Sequence, residues 1–392
     1  MTGVLPGAAA ALEAGRAERV APALAAMVLA GGSPVHASVH GEVETPAARP
    51  LRRDDLFDVA SLTKVLATTT VAAELVADGR LELDRPVADL LPGFERGGKQ
   101  AVTPRHLLAH ASGLPAWRPY FKAVAADPAG RALFLPPGER PPFAALSGPA
   151  ARGRARVREA VLAEPLEAAP GARALYSDPG FIALGFLLEA AGGAPLAALA
   201  DQLVFRPLGL GAILFLDAVD PDRDRAEGRT FVSTGSCPHR HEVNQAAVND
   251  DNAWAMGGVA GHAGLFSTVS EVAAIGQAWL EALSGGRSIV PADVARAFAR
   301  RDRSTPGSDR ALGWDTPSAA GSSLGTRLGR GPRGAIGHLG YTGTSLWIDL
   351  DAGVVCALLT NHTHPSGVAD KARIRALRQR FHDAVAEGLG IG

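Results

Sequence analysis

Lysine is scarce in this chain of 392 residues, because only four of the 39 basic residues are lysine and the other 35 are arginine. Cysteine is scarcer still: Cys237 and Cys356 lie far apart and show no metal-ligand or disulfide pattern, which indicates a reducing compartment. No uninterrupted apolar run approaches the ~18 residues of a membrane span. A net charge of −1 gives no field that would draw the chain to nucleic acid or anionic lipid.

The composition is otherwise ordinary for a globular protein, with 47% hydrophobic and 20% charged residues. The length predicts two domains, or one domain with a large insertion. Glu13 and Arg16 interrupt the first apolar stretch, so we expect no signal peptide. The expectation is therefore a cytoplasmic protein without nucleic-acid or membrane partners, whose oligomeric state the sequence leaves open.

Two hairpins are predicted, one near each end of the chain. Apolar and alternating segments at 23–29 and 35–39 flank a turn rich in glycine. Segments at 344–350 and 354–360 flank a second tight turn that ends in Gly353. The two hairpins together are expected to form one antiparallel sheet.

The rest of the chain divides into terminal helices and a long central region. Helical patterns at 7–18 and 368–389 lie outside the hairpins, whereas the centre consists of helical patterns separated by Pro- and Gly-rich loops. This order predicts an α/β (α+β) fold, with an antiparallel sheet built from both termini, flanked by helices, and interrupted by a mostly helical domain. We assign 1–65 and 251–392 to the sheet domain and 66–250 to the inserted domain.

One of the four lysines, Lys64, follows Ser61 by three residues at the start of a helix predicted over 61–78. At this spacing the hydroxyl and the amine share a helix face, and the Ser61 N–H lies in a first turn without intrahelical acceptors. A hydroxyl needs a positioned base to attack at neutral pH. Burial would lower the pKa of the lysine and let it serve as that base. The alternative is a capping serine beside a surface lysine.

A second group of polar residues, Tyr176-Ser177-Asp178, lies on a loop that enters an apolar helix. The chain has only three tyrosines, and a phenol here could relay a proton between a nucleophile and a leaving group. The alternative is a half-buried tyrosine with Asp178 as a helix cap.

A glycine-rich stretch at 336–344 leads into the last hairpin and contains His338 and Gly340. Glycines at a strand edge let a substrate lie against the backbone, where an N–H can donate to a developing oxyanion. The alternative is a β-bulge between two domains.

These three groups occur in an order that resembles a known family. Ser61-Leu62-Thr63-Lys64, Tyr176-Ser177-Asp178 and His338-Leu339-Gly340 are similar to the motifs of serine hydrolases with the penicillin-binding-protein and serine β-lactamase fold. The likeness is closest to the class C-like branch that includes esterases and D-aminopeptidases. It extends over roughly residues 10–388, and blocks at 105–115 and 257–268 resemble family sequence as well.

The resemblance implies a role for each matched residue. Ser61 would be the acylated nucleophile, Lys64 its base, and Tyr176 the group that shares protons with Lys64. The N–H groups of Ser61 and Tyr341 would form the oxyanion hole, and His338 would border the leaving-group or carboxylate side of the cleft. An alternative register starts the third motif at Tyr341 instead of His338.

Asp178, His338 and Gly340 would contact the substrate, and two of these depart from the family pattern. Asp178 replaces the usual Asn, so a carboxylate that only accepts hydrogen bonds stands in place of an amide. His338 replaces the Lys of true β-lactamases and removes a permanent cation. Both changes weigh against penicillins and D-Ala-D-Ala peptides as natural substrates.

The sequence therefore predicts a cofactor-free serine hydrolase that acts on a small-molecule ester or amide, with esterase activity as the first choice. The alternatives are a β-lactamase or D-amino-acid peptidase of the same fold, an acyltransferase, and a non-catalytic ligand-binding homologue. No metal site is expected, because His106 and His110 lack a third ligand and His239 and His241 lack firm spacing. Specificity is expected to reside in the loops 116–160 and 217–250.

Overall fold

The computed structural model describes residues 3–44, 48–219, 226–286, 289–318 and 321–392. Its strands are β1 (Ala23–Ala30), β2 (Ser33–Val43), β3 (Arg49–Pro50), β4 (Phe57–Asp58), β5 (Leu214–Phe215), β6 (Gly235–Cys237), β7 (Glu242–Asn244), β8 (Leu265–Ser267), β9 (Ala335–Leu339), β10 (Ser345–Asp349) and β11 (Val354–Thr360). Its α-helices are α1 (Pro6–Ala17), α2 (Thr70–Ala77), α3 (Pro104–Leu108), α4 (Tyr120–Ala126), α5 (Ser147–Ala163), α6 (Asp178–Gly192), α7 (Leu196–Ala200), α8 (Asp251–Ala255), α9 (Val269–Leu283), α10 (Ala292–Ala299) and α11 (Lys371–Gly388). Short 3₁₀ segments lie at Ala60–Leu62, Val87–Asp89, Arg96–Gly98, Arg131–Phe134 and Phe143–Leu146, and π-helical segments at Lys64–Thr69 and Asp201–Phe205.

The main sheet is antiparallel, with the strand order β3-β2-β1-β11-β10-β9. Both predicted hairpins are present: β1 and β2 are joined by Gly31 and Gly32, which both have positive φ, and β10 and β11 meet at a turn that contains Gly353. Strand β1 from the N-terminal part pairs with β11 from the C-terminal part, in a register that includes Leu24 with Thr360. The predicted fold class, an antiparallel sheet built from both ends of the chain, is confirmed.

Each face of the sheet buries a different set of side chains because side chains alternate along a strand. Leu24, Ala26 and Val28 of β1 pack in a cluster that includes residues of α1 and α11. Ala23, Ala25 and Met27 of the same strand belong to the larger core, which also contains residues of α9 and of the central helices. The terminal helices therefore cover one face, and the other face joins the part of the chain that carries the site.

The central region is mostly helical, from α2 to α7, and a small second sheet has the strand order β4-β8-β5. The division of the chain at residues 65 and 250 stays a prediction. Within the predicted specificity loop 217–250, residues 220–225 lie outside the described part of the chain.

By length and composition, one helical run of the described residues, Ala60–Ala77, could cross a membrane, and the bent pair Asp178–Gly192 and Leu196–Phe205 passes the same test together. The first run is 78% buried inside the protein, as the core helix of a folded domain is. The expected lack of a membrane partner stays a prediction.

Candidate active site

Ser61 lies just after a strained turn at the end of β4. Ala60 has a φ of 48°, in the left-handed region, which costs a non-glycine residue about 1–3 kcal/mol. The buried Asp58 carboxylate holds this turn, because it accepts hydrogen bonds from the Ala60 N–H at 2.8 Å and the Asn249 N–H at 2.6 Å. Burial raises the pKa of the Asp58 carboxyl to about 6. The serine is thus presented by a turn that a buried acid keeps in place.

The helix after Ser61 is less regular than the sequence predicts. A 3₁₀ turn at Ala60–Leu62 is followed by a π-helical segment at Lys64–Thr69 before α2 begins. The Thr70 hydroxyl donates to the Val65 carbonyl at 2.7 Å, and so competes for an acceptor that an α-helix would give to a backbone N–H. π-Helical turns are rare and are found frequently at functional sites.

Lys64 is fully buried, and its Nζ contacts three oxygens: Ser61 Oγ at 3.0 Å, the His262 carbonyl at 3.0 Å and Asp178 Oδ1 at 2.8 Å. Burial alone would lower the pKa of Lys64, but the Asp178 carboxylate and Tyr176 outweigh it, so the pKa is raised above its usual value. The prediction that the pKa of the buried Lys64 falls is therefore wrong, although burial by itself acts in that direction. Lys64 is an ammonium ion at rest.

Tyr176 donates from its OH to Ser61 Oγ at 3.0 Å, so the phenol and the Lys64 amine converge on one oxygen. Burial raises the pKa of Tyr176, which keeps the phenol protonated at neutral pH. Its ring lies 4.6 Å from the His110 ring and 5.3 Å from the Arg310 guanidinium carbon. The sequence singled out neither Arg310 nor a contact of His110 with the tyrosine.

Two backbone N–H groups near the serine are free. In the part of the chain that the structure describes, neither Ser61 nor Tyr341 donates its backbone N–H to a protein acceptor. Two hydrogen bonds join the segment before Ser61 to the turn that contains Tyr341. The hydroxyls of Thr342 and Thr344 donate to the carbonyls of residues 58 and 59 at 2.8 and 3.0 Å. Such a pair of fixed donors can stabilise a developing oxyanion.

Gly340 and His338 both lie close to Tyr341 in the sequence, but only Gly340 lines the cavity. Gly340 lines the cavity, and a Cβ there would lie 2.0 Å from Thr344 Oγ1 and 2.6 Å from the Val59 carbonyl oxygen, so only glycine fits. His338 is buried and does not line the cavity, whereas its strand neighbour Leu339 does, as the alternation of a strand requires. The His338 ring lies near Tyr176, with the ring centres 6.0 Å apart, and is not part of the cavity lining. Burial lowers its pKa to about 4, so it is neutral.

The cavity above Ser61 has a volume of about 860 Å³. The lining includes the acidic residues Asp178, Asp250 and Asp251. It also includes three cations of α11 that were not anticipated from the sequence, Lys371, Arg375 and Arg378. Trp117 and Tyr341 add exposed aromatic surface, at 49% and 44% of their full exposure. The predicted specificity loops supply Trp117 as well as Ser236–Pro238, Asn244 and Asn249–Asp250.

The histidines at helical spacing have structural partners. His106 Nδ1 accepts from the Thr103 N–H in a capping box, and His110 Nδ1 accepts from the Ser177 N–H at 3.0 Å. Among the described residues, no group of three or more His, Cys, Asp or Glu side chains is arranged to hold a metal ion.

Comparison with known proteins finds a matching family and related sequences. The beta-lactamase family model matches residues 8–380. A protein of Escherichia coli strain K12, provisionally named a D-alanyl-D-alanine carboxypeptidase, is 31% identical over 333 residues, which cover 80% of this chain and 70% of that protein.

Two solved structures share the fold at low sequence identity. EstCE1, described as a hydrolase with promiscuous acyltransferase activity, aligns with a TM-score of 0.68 at 19% identity over 97% of each chain. The octameric penicillin-binding protein homologue from Pyrococcus abyssi aligns with a TM-score of 0.70 at 20% identity, over 99% of this chain and 78% of that one. Since the family model matches nearly the whole chain, the predicted family resemblance is confirmed, and the protein belongs to the beta-lactamase family of serine hydrolases.

Proposed function

We propose that this protein hydrolyses small carboxylic esters through an acyl-enzyme formed on Ser61, with amides as a second substrate class. The observation that carries the proposal is the convergence of the Lys64 amine and the Tyr176 phenol on Ser61 Oγ, each at 3.0 Å. This oxygen lies in a large cavity beside two free N–H donors. A nucleophile, a base, an acid and an oxyanion hole are then all within reach of one carbonyl group.

In acylation, Ser61 Oγ attacks the substrate carbonyl while its proton passes to Lys64 in the amine form. The N–H groups of Ser61 and Tyr341 hold the oxyanion, and Tyr176 donates its proton to the leaving group. Lys64 then returns a proton to Tyr176, so the serine proton ends on the leaving group and both side chains are reset. In deacylation, water takes the place of the leaving group, and the same steps run in the opposite direction.

Asp178 has a role in this scheme that differs from contact with the substrate. Its carboxylate stabilises the ammonium form of Lys64 at 2.8 Å, whereas the scheme needs the amine. The fraction of enzyme with a neutral Lys64 therefore rises with pH, and we expect the rate of ester hydrolysis to rise into the alkaline range.

The test compares the wild-type protein with Ser61→Ala on p-nitrophenyl esters of short acids. We expect the variant to lose at least about 10³-fold in kcat/KM, because no acyl-enzyme can form. Ser304→Ala, at an exposed serine outside the cavity, is the matched control and keeps full activity. Equal rates for the wild type and Ser61→Ala would overturn the proposal.

A D-amino-acid peptidase is the second candidate, favoured by the name of the Escherichia coli relative. The neutral His338 provides no cation for a substrate carboxylate, but Lys371 and Arg375 line the cavity that contains Ser61 and supply positive charge there. Release of D-alanine from a D-alanyl-D-alanine peptide, or rapid turnover of a chromogenic cephalosporin, at a higher kcat/KM than the esters would favour this function.

Acyl transfer is a further outcome of the same chemistry, suggested by the promiscuous acyltransferase activity of EstCE1. Added alcohol or amine would then divert the acyl group from water and give a new ester or amide product. A folded protein that forms no adduct with a fluorophosphonate would instead be a ligand-binding homologue. The cytoplasmic location and the absence of nucleic-acid and membrane partners stay predictions.

A further inference from the structure

Arg378 is a buried cation on α11. It lies on the inner face of α11, where Ile374, Leu377 and Phe381 pack into the core, and only 5% of its surface is exposed. No carboxylate of the described residues forms an ion pair with it, and burial lowers its pKa to about 9. Burial of a guanidinium ion costs solvation free energy, so the buried ion needs strong hydrogen-bond acceptors.

The acceptors of Arg378 are three carbonyl groups of the turn that leads from β9 to β10. Its Nη2 donates to the Gly340 carbonyl at 2.9 Å and to the Thr344 carbonyl at 2.7 Å, and its Nε donates to the Gly343 carbonyl at 3.2 Å. The bonds bracket Tyr341, which lies between the first acceptor and the other two. Arg378 also lines the catalytic cavity.

The bond to Gly340 bears directly on the oxyanion hole. The Gly340 carbonyl and the Tyr341 N–H belong to one planar trans peptide, so fixing the oxygen fixes the N–H in the opposite direction. A cation on the carbonyl also polarises the peptide and makes its N–H a stronger donor. The Gly343 N–H donates to the same carbonyl at 3.0 Å and adds to the effect.

We propose that Arg378 is a positioning residue for the oxyanion hole, which orients and polarises the 340–341 peptide so that the Tyr341 N–H stabilises the transition state. The inference rests on the proposed function, since it assigns Arg378 a part in acylation and deacylation at Ser61. Arg378 acts through the Tyr341 N–H and touches no reacting atom.

The test uses Arg378→Ala with the same p-nitrophenyl esters, and Arg380→Ala as a matched control. Arg380 lies on the same helix but is exposed and pairs with Glu18 at the surface. Loss of one oxyanion donor typically costs 10²–10³ in kcat, so Arg378→Ala is expected to lose about 10²-fold in kcat with KM nearly unchanged. Arg380→Ala should stay within about twofold of the wild type, because a surface ion pair contributes little.

Chemical rescue separates positioning from a structural role. Because Arg378 lines the cavity, millimolar guanidinium chloride should enter the space left in Arg378→Ala and restore part of kcat. Methylammonium chloride at equal ionic strength should restore less, since its compact ammonium lacks the planar fork of donors that guanidinium shares with Arg378. Guanidinium should not raise kcat in the wild type or in Arg380→Ala.

Arg378→Lys covers the case in which the alanine variant does not fold. Lysine keeps the charge but lacks the planar fork in which Nε and Nη2 of Arg378 contact different carbonyls, so the inference expects a lower kcat and weaker binding of a boronic acid, whose tetrahedral adduct places an oxygen in the hole, with little change in KM. A folded Arg378 variant with wild-type kcat and boronic-acid affinity would overturn the inference. Ser61→Ala at the wild-type rate would instead overturn the proposed function, so the two failures are distinguishable.

Discussion

Two of the four lysines, Lys64 and Lys99, are fully buried, and they differ in every partner. Lys64 contacts a serine hydroxyl, a carboxylate and one carbonyl, whereas Lys99 donates to three carbonyls, those of Arg96, Leu162 and Glu164. Burial lowers the pKa of Lys99, but the pKa of Lys64 is raised because the Asp178 carboxylate outweighs burial. Burial alone therefore does not make a lysine a base: its partners decide.

The largest expected difference between the two lysines is in catalysis. Lys64→Met should lower kcat/KM for ester hydrolysis by about 10³-fold or more, because no group remains to take the serine proton. Lys99→Met should keep wild-type kcat/KM within about twofold, since surface or structural changes away from a site act mainly on stability. Steady-state kinetics of the two folded variants checks this, and equal losses would remove the distinction.

The next-largest effect is expected from Tyr176, whose hydroxyl contacts Ser61 Oγ as the Lys64 amine does. Tyr176→Phe removes the hydroxyl that donates to Ser61 Oγ and should lower kcat by about 10²-fold, the usual contribution of a positioned acid. Esters with a good leaving group need less protonation and should lose less than esters with a poor one. A loss that does not depend on the leaving group would show that Tyr176 has another role.

A smaller effect is expected from the carboxylate that sets the pKa of Lys64. In Asp178→Asn the cation loses its anion, burial then dominates, and the pKa of Lys64 falls. The rising limb of the kcat/KM profile against pH should move to lower pH by about one unit or more. The control Glu164→Gln removes the acid beside Lys99 and should leave the limb in place. If the rise of kcat/KM with pH occurs at the same pH in Asp178→Asn, that rise does not reflect the deprotonation of Lys64.

The smallest effect is on stability. Lys99→Met leaves one buried and two partly buried carbonyls without their donor and should lower the free energy of unfolding by about 1–3 kcal/mol. Lys122→Met, at an exposed lysine, should change it by less than about 0.5 kcal/mol. Urea denaturation measures both, and equal stability of the two variants would show that Lys99 does not hold its carbonyls together.

The sequence predicted the fold well where signals are local. The turn at Gly31 and Gly32 needs positive φ, which glycine adopts freely, so the first hairpin follows from composition and alternation. The order of the strands required more, because pairing β1 with β11 joins residues more than 300 positions apart. The position of the two hairpins near opposite ends of the chain predicted that they share one sheet, but not which of their strands pair.

The site was predictable only in part. Ser61 and Lys64 are neighbours along a helix, so their contact follows from spacing. Asp178 lies more than 100 residues away, and its approach to Lys64, which reverses the pKa shift, depends on tertiary packing. Arg378 left one sequence signal: it interrupts the apolar stripe of Ile374, Leu377 and Phe381, where a charged side chain must have a buried partner.

The most direct test of the account is intact-mass analysis of the protein mixed with a slowly hydrolysed ester or a fluorophosphonate, followed by peptide mapping. The account predicts one adduct on Ser61 in the wild type, the same adduct at the same rate in Lys99→Met, and slow or absent labelling in Lys64→Met. An adduct on another residue, or equal labelling rates in the two lysine variants, would contradict the claim that Lys64 is the base of an acylating serine.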